Sequence, residues 1–425
     1  MFRLLTHPSF LFLLLGRVVT NIGDSLYYVA SMWLVFELSH NPFYTGLAGF
    51  LILVPKVLQF LIGPLVDRWR VKPILISTQV LQAVLLMTIP IAYYLDAVHV
   101  SFLLCIMPLL ACIEEFAYPA QTKTLPLLLK KEDLLHANSL FAIAYQGIDL
   151  ILNSLGAILV ASFGAIFVFW IDSITFVIAA LCFSLVKIPR RKLDQDDVKE
   201  KQSSIKRYVI ELREGFHVVL HSLLWVFTIG SLLANFTIGM TLAILPSFSD
   251  QIGGVGTYGF LLTAISAGSL MGAFLGPVLG RFRIGSTAIL CFTLGGLCWI
   301  VAGWMTSPIL ICLLFGVAWI PVGAVNILFA GLIQAAVPHE ILGRTTSITY
   351  SISVSAMPIG SLVGGSLANY LGSSFIFSFS GIGLILISFV WLLHPQLRQL
   401  STQDTIDASV LKLPPTSTPP SPVVN

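Results

Sequence analysis

Charged and polar side chains interrupt long apolar stretches in the first half of the chain, where they are candidates for proton chemistry. Arg17, Asn21, Asp24 and Tyr28 are spaced by four, three and four residues, so a helix would present all of them on one face. A carboxylate in an apolar interior without a basic partner can bind and release a proton near neutral pH. This stripe predicts proton coupling at Asp24 and Arg17, with Asn21 and Tyr28 in a substrate cavity.

A second polar stripe and three further charges lie in other apolar stretches of the same half. Gln146, Asp149 and Asn153 follow helical spacing, which adds Asp149 to the proton-coupling candidates and the two amides to the cavity candidates. The predicted charge network contains two bases and four acids: Arg17, Lys56, Asp24, Glu114, Glu115 and Asp149.

The composition indicates that these residues are positioned by membrane-spanning helices. Of the 425 residues, 56% are hydrophobic and 10% are charged, and the mean hydropathy is +0.92. A bilayer core about 30 Å thick needs about 20 helical residues. The twelve predicted spans are 10–36, 44–66, 73–94, 99–118, 137–161, 165–186, 223–246, 257–279, 286–304, 308–331, 345–371 and 374–393.

Lys and Arg residues are confined to alternate breaks between these spans. Of the 23, 21 lie in the terminal segments or in every second break, as cytoplasmic loops do. We therefore expect a multi-pass protein of a bacterial-type cell membrane with both termini in the cytoplasm. The predicted organisation is an N-terminal six-helix bundle at 1–188, a cytoplasmic linker with an amphipathic helix at 189–222, a C-terminal bundle at 223–394 and a disordered cytoplasmic tail at 395–425.

The depth of each charge suggests its partner. At 1.5 Å per residue, Arg17, Lys56 and the two glutamates lie nearer to the inner boundary, at roughly 5–15 Å, than Asp24 and Asp149, at roughly 18–21 Å. We expect Arg17 to face a glutamate of span 4 rather than Asp24. Because acids outnumber bases, at least one carboxylate should lack a basic partner, and Asp24 or Asp149 is then a proton carrier or, alternatively, part of a closed hydrogen-bonded pair.

The two halves of the chain repeat each other. GPLVDRWRVKPILI, from Gly63, follows span 2, and GPVLGRFRIGSTAIL, from Gly276, follows span 8. EDLLHANSL from Glu132 and EILGRTTSI from Glu340 each precede the fifth span of a half. Since each half has six spans, the repeats are parallel, as in transporters that rock about a central site.

At these motifs the chain resembles the major facilitator superfamily. The loop after span 2 is similar to that family's G-x-x-x-D-R motif, although Val71 replaces one later basic residue. Segments such as FWIDSITF and QAAVPHEILGR are similar to the branch of macrolide-efflux proteins and the enterobactin exporter. The resemblance implies an all-α membrane protein of twelve transmembrane helices in two pseudo-symmetric six-helix bundles, with alternating access that protons usually drive in exporters. The gating residues it implies are Gly63, Asp67, Arg68, Arg70 and Lys72.

The family's antiporter signature in span 5 is poorly kept, since Asn153, Ser154 and Leu155 precede Gly156. Small residues recur every four positions in two later spans, and such faces let helices approach closely. We expect them to be packing seams where the two halves close on each other; the residues are Gly268, Gly272 and Gly276 on span 8 and Gly360 and Gly364 on span 11.

The predicted spans of the second half contain no Asp, Glu, Lys or Arg. Asn235 and Asn326 are its cavity candidates, and Trp299, Trp304 and Trp319 are among its aromatic residues. We hypothesise that the first half handles protons while spans 7 and 10 offer an apolar, aromatic surface to the substrate. Asp172 in FWIDSITF is expected to be a structural hydrogen-bonding residue.

These patterns together predict a secondary transporter. We expect a monomeric proton-coupled exporter of amphipathic small molecules, such as macrolide-like drugs or siderophores, whose partners are the bilayer, the substrate and protons. An importer or lipid transporter of the same fold is the first alternative, and a non-transporting membrane sensor or scaffold is the second. No nucleophile–base set, phosphate loop or Cys/His cluster appears in the sequence, so neither an enzyme nor a metal or other cofactor is expected.

Overall fold

A computed structural model describes residues 6–59, 62, 66, 69–130, 133–188, 213, 215–337, 339–400 and 402. Of the predicted motif residues, Gly63, Asp67 and Arg68 lie outside this part of the chain. So do most of the predicted linker and nearly all of the predicted tail.

The described chain is all-α and follows the predicted order of spans. Its twelve long helices are α1 Pro8–Ser39, α2 Pro42–Val57, α3 Val71–Tyr94, α4 Val100–Leu128, α5 Leu134–Phe163, α6 Ala165–Leu185, α7 Leu224–Ile252, α8 Gly254–Leu279, α9 Ile284–Ala302, α10 Pro308–Ala336, α11 His339–Leu371 and α12 Ser373–Leu393. Ten of them are long and apolar enough to cross a membrane, and the shorter apolar segments Pro42–Val57 and Ile151–Phe163 belong to the remaining two, α2 and α5.

Local sequence explains where the helices begin and end. Asn41 caps α2, since its Oδ1 accepts a hydrogen bond from the Phe43 amide at 2.9 Å and Pro42 occupies the first turn. Gly164 between α5 and α6 and Gly372 between α11 and α12 have φ angles of 81° and 85°. Glycine adopts this left-handed region without the steric cost of a Cβ. The same tight turn therefore occurs at equivalent places in both halves.

Helix packing repeats in the same way. In the first half α6 packs on α1 and α3, and α2 packs on α4. In the second half α12 packs on α7 and α9, and α8 packs on α10. Each half is thus a six-helix bundle with the same internal contacts, and the two-bundle fold predicted from the repeats is confirmed.

The halves meet through α2 against α11 and through α5 against α8. At the first contact Ser361 Oγ donates a hydrogen bond to the carbonyl of Gly46 at 3.0 Å. At the second, Asn153 Nδ2 donates to Ser266 Oγ at 3.1 Å. We call these contacts the distal seam, because they lie toward the end of the bundle opposite to the terminal end, where α1 begins and α12 finishes.

Candidate functional site

The charged side chains of α1, α2 and α4 come together where the first half faces the second. Glu115 on α4 is 4% exposed and lies within electrostatic range of Glu114 and Lys56. The guanidinium carbon of Arg17 lies 5.7 Å from the centroid of the Tyr118 ring, a cation–π distance. Arg17 therefore lies against α4, the helix that carries the two glutamates. The contact that can be described there is with the ring of Tyr118.

Tyr350 on α11 connects these charges to the second half. It lies within electrostatic range of Lys56, Glu115 and Tyr118. Tyr118 is 54% exposed and Tyr350 is 55% exposed, although groups from both halves surround them. The space between the halves is therefore open at this depth. We call the surrounding residues the charged cluster, namely Arg17, Lys56, Glu114, Glu115, Tyr118 and Tyr350.

Sequence reasoning missed both tyrosines of the charged cluster. Tyr118 follows Glu115 by three residues and shares its helix face, so the spacing could have found it. Tyr350 lies in a stretch of Ser and Thr residues without a charged neighbour, and its sequence carries no comparable signal. Tyr28, which the sequence did suggest, is half-buried on α1 within electrostatic range of Lys56. Asn21 is buried on the same helix.

Asp24 is half-buried on α1 and lies within electrostatic range of Asp172 on α6. Asp172 is 0% exposed, and its Oδ1 accepts a hydrogen bond from Thr175 Oγ1 at 3.3 Å while its Oδ2 has no hydrogen-bond partner. A Cβ at Gly23 would fall 2.6 Å from Asp172 Oδ1, so glycine makes room for this carboxyl group. The hydrogen bond described for Asp172 is therefore formed within its own helix, α6.

A chain of buried amides joins α1 to α3 beside these carboxylates. Thr20 Oγ1 donates to Gln79 Oε1 at 2.9 Å, and Gln79 Nε2 donates to Gln82 Oε1 at 3.2 Å. All three side chains are buried. Sequence patterns did not identify them, because Gln79 and Gln82 have no charged residue three or four positions away to mark a polar face. They give the first half a continuous polar layer between α1 and α3.

The second polar stripe lies on α5. Asn153, predicted to line the cavity, instead lies in the distal seam through its hydrogen bond to Ser266. Ser154 shares a hydrogen bond with Thr263 in the same seam. Gln146 and Asp149 are on this helix, and their side chains lie outside the described part of the structure. In the described residues, α5 thus contributes a contact between the halves.

The candidate residues of the second half differ from one another in exposure. Asn235 is half-buried and donates to the Ser231 carbonyl of its own helix at 2.9 Å, whereas Asn326 is exposed. Trp319 of α10 and Trp299 of α9 are buried, with ring centroids 5.9 Å apart. The prediction that Trp319 belongs to an aromatic, substrate-facing surface of α10 is therefore wrong, because this side chain lies in the core of its own bundle.

The motif residues that can be described lie at the terminal end. Arg70 is exposed immediately before α3. Lys72 Nζ donates to the carbonyls of Ser184 and Val186, at 2.6 and 2.9 Å. A cation at a helix C-terminus stabilises its unpaired carbonyls, so Lys72 fastens α3 to the end of α6.

The glycine faces are packing seams, but all five of the predicted glycines pack inside the second half. A Cβ on Gly268 or Gly272 would meet the main chain of α10, and one on Gly276 would contact Ile327 of the same helix. A Cβ on Gly360 or Gly364 would meet the main chain of α7. The expectation that these faces join the two halves was wrong, because helical spacing shows which residues share a face and not which helix that face meets.

A different glycine contact joins the halves. A Cβ on Gly46 of α2 would fall 2.7 Å from the Cα of Gly365 on α11. The bundle is therefore closed at the distal seam, and the charged cluster lies in the space on the terminal side of it. Such a site is accessible to a solute from one side only.

Comparisons with known proteins agree with this architecture. The profile of a family described as transmembrane secretion effector matches residues 2–419. The chain is 22% identical to the multidrug efflux pump Tap of Mycolicibacterium fortuitum over 402 residues, which cover 92% of this chain and 96% of that protein. It is 26% identical to macrolide efflux protein A of Streptococcus pyogenes over 410 residues, covering 91% and 95%.

Solved structures share the fold. The chain matches a bacterial homologue of the human lysosomal transporter Spinster, inward-facing and unoccupied, with a TM-score of 0.70 and 12% identity over 94% of this chain and 97% of that one. The nucleoside transporter NupG matches with a TM-score of 0.70 and 11% identity over 90% and 98%. The chain therefore belongs to the transmembrane secretion effector family of the major facilitator superfamily and is a multi-pass membrane transporter.

Proposed function

We propose that the protein is a proton-coupled exporter of amphipathic small molecules that works by alternating access. The observation that carries the proposal is the charged cluster, in which Glu115 and Lys56 of the first half lie within electrostatic range of Tyr350 of the second. Charged groups in a bilayer are costly and are retained where they have a function. The charged cluster lies between the two halves, which must move relative to each other in alternating access.

Proton coupling is proposed from the balance of charge. Glu115 lies near Glu114 and Lys56, Arg17 lies against Tyr118 of the same helix as the glutamates, and Asp24 follows Arg17 on α1 by seven residues. Neutralising one carboxylate by a proton changes the electrostatic free energy of the interface between the halves. Protonation and substrate binding would then favour different conformations, and the difference in their binding free energies would drive the exchange.

The direction of transport is proposed from topology and from the relatives. Basic residues gather at the terminal end, which we take to be cytoplasmic, and the space around the charged cluster is on that side. Substrate would enter from the cytoplasm and leave when the distal seam opens. Two efflux proteins among the relatives support this direction. Tyr28, Tyr118 and Tyr350 combine apolar rings with polar hydroxyl groups, as an amphipathic substrate requires.

Transport into everted membrane vesicles would test the proposal. A panel of fluorescent amphiphiles is added with and without a protonophore, and we expect uptake of at least one that stops when the proton gradient collapses. Asp24→Asn should lose most of this uptake, whereas Glu37→Gln, which removes an exposed carboxylate at the distal end of the same helix, should retain it.

Two results would count against the proposal. Proton-dependent transport that persists in well-folded Asp24→Asn protein would remove Asp24 from the role. Uptake only in right-side-out vesicles would indicate an importer.

A further inference from the structure

A groove of about 600 Å³ runs along the outside of the first half between α3 and α4. Its walls include Ser77 and Leu81 of α3 and Cys112 and Phe116 of α4, and Trp69 and Arg70 lie at its terminal mouth. The Trp69 and Phe116 rings stack there with centroids 6.1 Å apart and planes 9° apart. The groove borders the charged cluster, since Cys112 lies within electrostatic range of Glu115, but Glu115 itself is buried and does not line the groove.

The residues that line the groove change from basic and aromatic to apolar with increasing depth in the membrane. Leu81 follows Arg70 by eleven residues, which places it roughly 16 Å farther along the helix direction. This is about half the thickness of a bilayer core. Arg70 and Trp69 therefore lie near the level of lipid head groups, and the apolar wall reaches toward the middle of the hydrocarbon. Trp is typical of that interface, where one part of the ring is wet and the other apolar.

We propose that this groove binds one acyl chain of an anionic glycerophospholipid, whose phosphate group pairs with Arg70. The guanidinium of Arg70 is exposed and can form two parallel hydrogen bonds with a phosphate group. Lys72 is two residues away, but its ammonium group is bound to the carbonyls at the end of α6. Among the described residues that line the groove, Arg70 is the cation, and basic pockets between transmembrane helices bind such head groups.

The charge of Arg70 and the depth of the groove together favour an anionic lipid as the bound molecule. A substrate amphiphile with a cationic head would be repelled by Arg70, and a zwitterionic lipid would gain less from it than an anionic one. One basic residue near the membrane surface corresponds to about a fivefold preference for an anionic lipid. This inference does not depend on the proposed direction of transport or on proton coupling.

The repeat supplies a matched control. Arg283 stands immediately before α9, as Arg70 stands before α3, and both are exposed. Arg70→Gln and Arg283→Gln thus remove the same charge from equivalent places in the two halves. A third variant, Ser77→Phe, fills the groove from α3 without changing charge.

The test uses the full-length protein in nanodiscs made of equal parts phosphatidylglycerol and phosphatidylethanolamine, followed by gentle extraction and native mass spectrometry. The wild type should keep a bound phosphatidylglycerol about five times more often than phosphatidylethanolamine. Arg70→Gln should keep lipid without that preference, Arg283→Gln should match the wild type, and Ser77→Phe should lose the lipid while its thermal unfolding stays within a few degrees of the wild type.

Three outcomes would overturn the proposal. The first is an unchanged preference for phosphatidylglycerol in Arg70→Gln. The second is an equal loss of preference in Arg283→Gln, which would indicate attraction by overall charge. The third is detergent in place of lipid in every variant, which would make the groove an unselective apolar surface. If Ser77→Phe unfolds, the comparison of the two arginine variants still decides between these outcomes.

Discussion

The two halves share one helix arrangement but use different chemistry at their helix contacts. In the first half, glycines make room for side chains: Gly16 faces Phe183, Gly23 faces Asp172 and Gly156 faces Leu26. In the second half, several glycines let main chains meet: Gly268 approaches Gly316, Gly272 approaches Ile320 and Gly360 approaches Phe236. Others, such as Gly303 and Gly383, face side chains as the glycines of the first half do. Among the described residues, the glycines that bring two main chains together inside one bundle are thus those of the second half.

The buried polar groups differ in the same sense. The first half holds the acids and bases of the charged cluster and the amide chain from Thr20 to Gln82. The hydroxyl groups of the second half bond mainly within the bundle, as Ser388 does with the carbonyl of Ile289 at 2.9 Å. The two halves thus share one architecture but differ in chemistry. The first half carries the buried charged groups, and the second half packs against it.

The largest expected effect concerns backbone packing. Gly272→Ala would drive a methyl group into the Ile320 carbonyl, which cannot move without shifting α10. We expect a loss of about 3 kcal/mol in the free energy of unfolding, at the upper end of overpacking costs. Gly156→Ala in the first half should cost less than about 1 kcal/mol, because the added methyl group would lie 3.2 Å from the end of the flexible Leu26 side chain. Thermal unfolding of the two purified variants measures both losses of stability. Equal losses would contradict the proposed difference between the halves.

The next effect concerns buried hydrogen bonds. Gln79→Leu would take the Gln79 donor away from the buried Gln82 amide oxygen, at a cost of about 1–2 kcal/mol, while the Thr20 hydroxyl keeps its bond to the Gly16 carbonyl. Thr293→Val in the second half should cost less than about 0.5 kcal/mol, since Ser388 keeps its bond to the Ile289 carbonyl. The same unfolding measurement applies. A larger loss in Thr293→Val would show that hydroxyl bridges hold the second half more strongly than its backbone contacts.

A smaller effect concerns transport. Glu115→Gln keeps the shape of the side chain and removes its charge, so we expect at least a tenfold loss of proton-driven uptake, about 1.4 kcal/mol. Asp250→Asn, at the exposed distal end of α7, should leave uptake within twofold of the wild type. Initial rates in everted vesicles, normalised to folded protein, give the comparison. Equal losses in the two variants would contradict the assignment of charge chemistry to the first half.

The smallest effect concerns the contact between the halves at the charged cluster. Tyr350→Phe removes only a hydroxyl group from a half-exposed side chain, so we expect about a threefold weaker apparent substrate affinity with little change in maximal rate. Tyr370→Phe, exposed at the distal end of the same helix, is the control and should have no effect. A loss confined to the maximal rate would place Tyr350 in the conformational step and not in binding.

Sequence patterns were sufficient for the helices and for the repeat. Apolar length gave the twelve spans, because lipid leaves a spanning chain few alternatives to a helix. The ends differ by up to ten residues: α2 ends at Val57 and not at 66, α4 ends at Leu128 and not at 118, and α11 begins at His339 and not at 345.

Partners across helices could not be read from the sequence. Gly272 was assigned to a contact between the halves and packs inside one of them, and Asn153 was assigned to the cavity and lies in the distal seam. Spacing fixes a face, and only tertiary packing decides which helix covers it. Trp319 and Tyr350 illustrate the same limit for aromatic residues, since core, cavity and lipid all accept them.

The central claim is that carboxylates between the halves exchange protons against substrate. Proteoliposomes loaded with ethidium and a pH-sensitive dye test it directly: release of ethidium down its gradient should move protons in the opposite direction, and Glu115→Gln should uncouple the two fluxes. Ethidium release by the wild type without any proton movement would contradict the account.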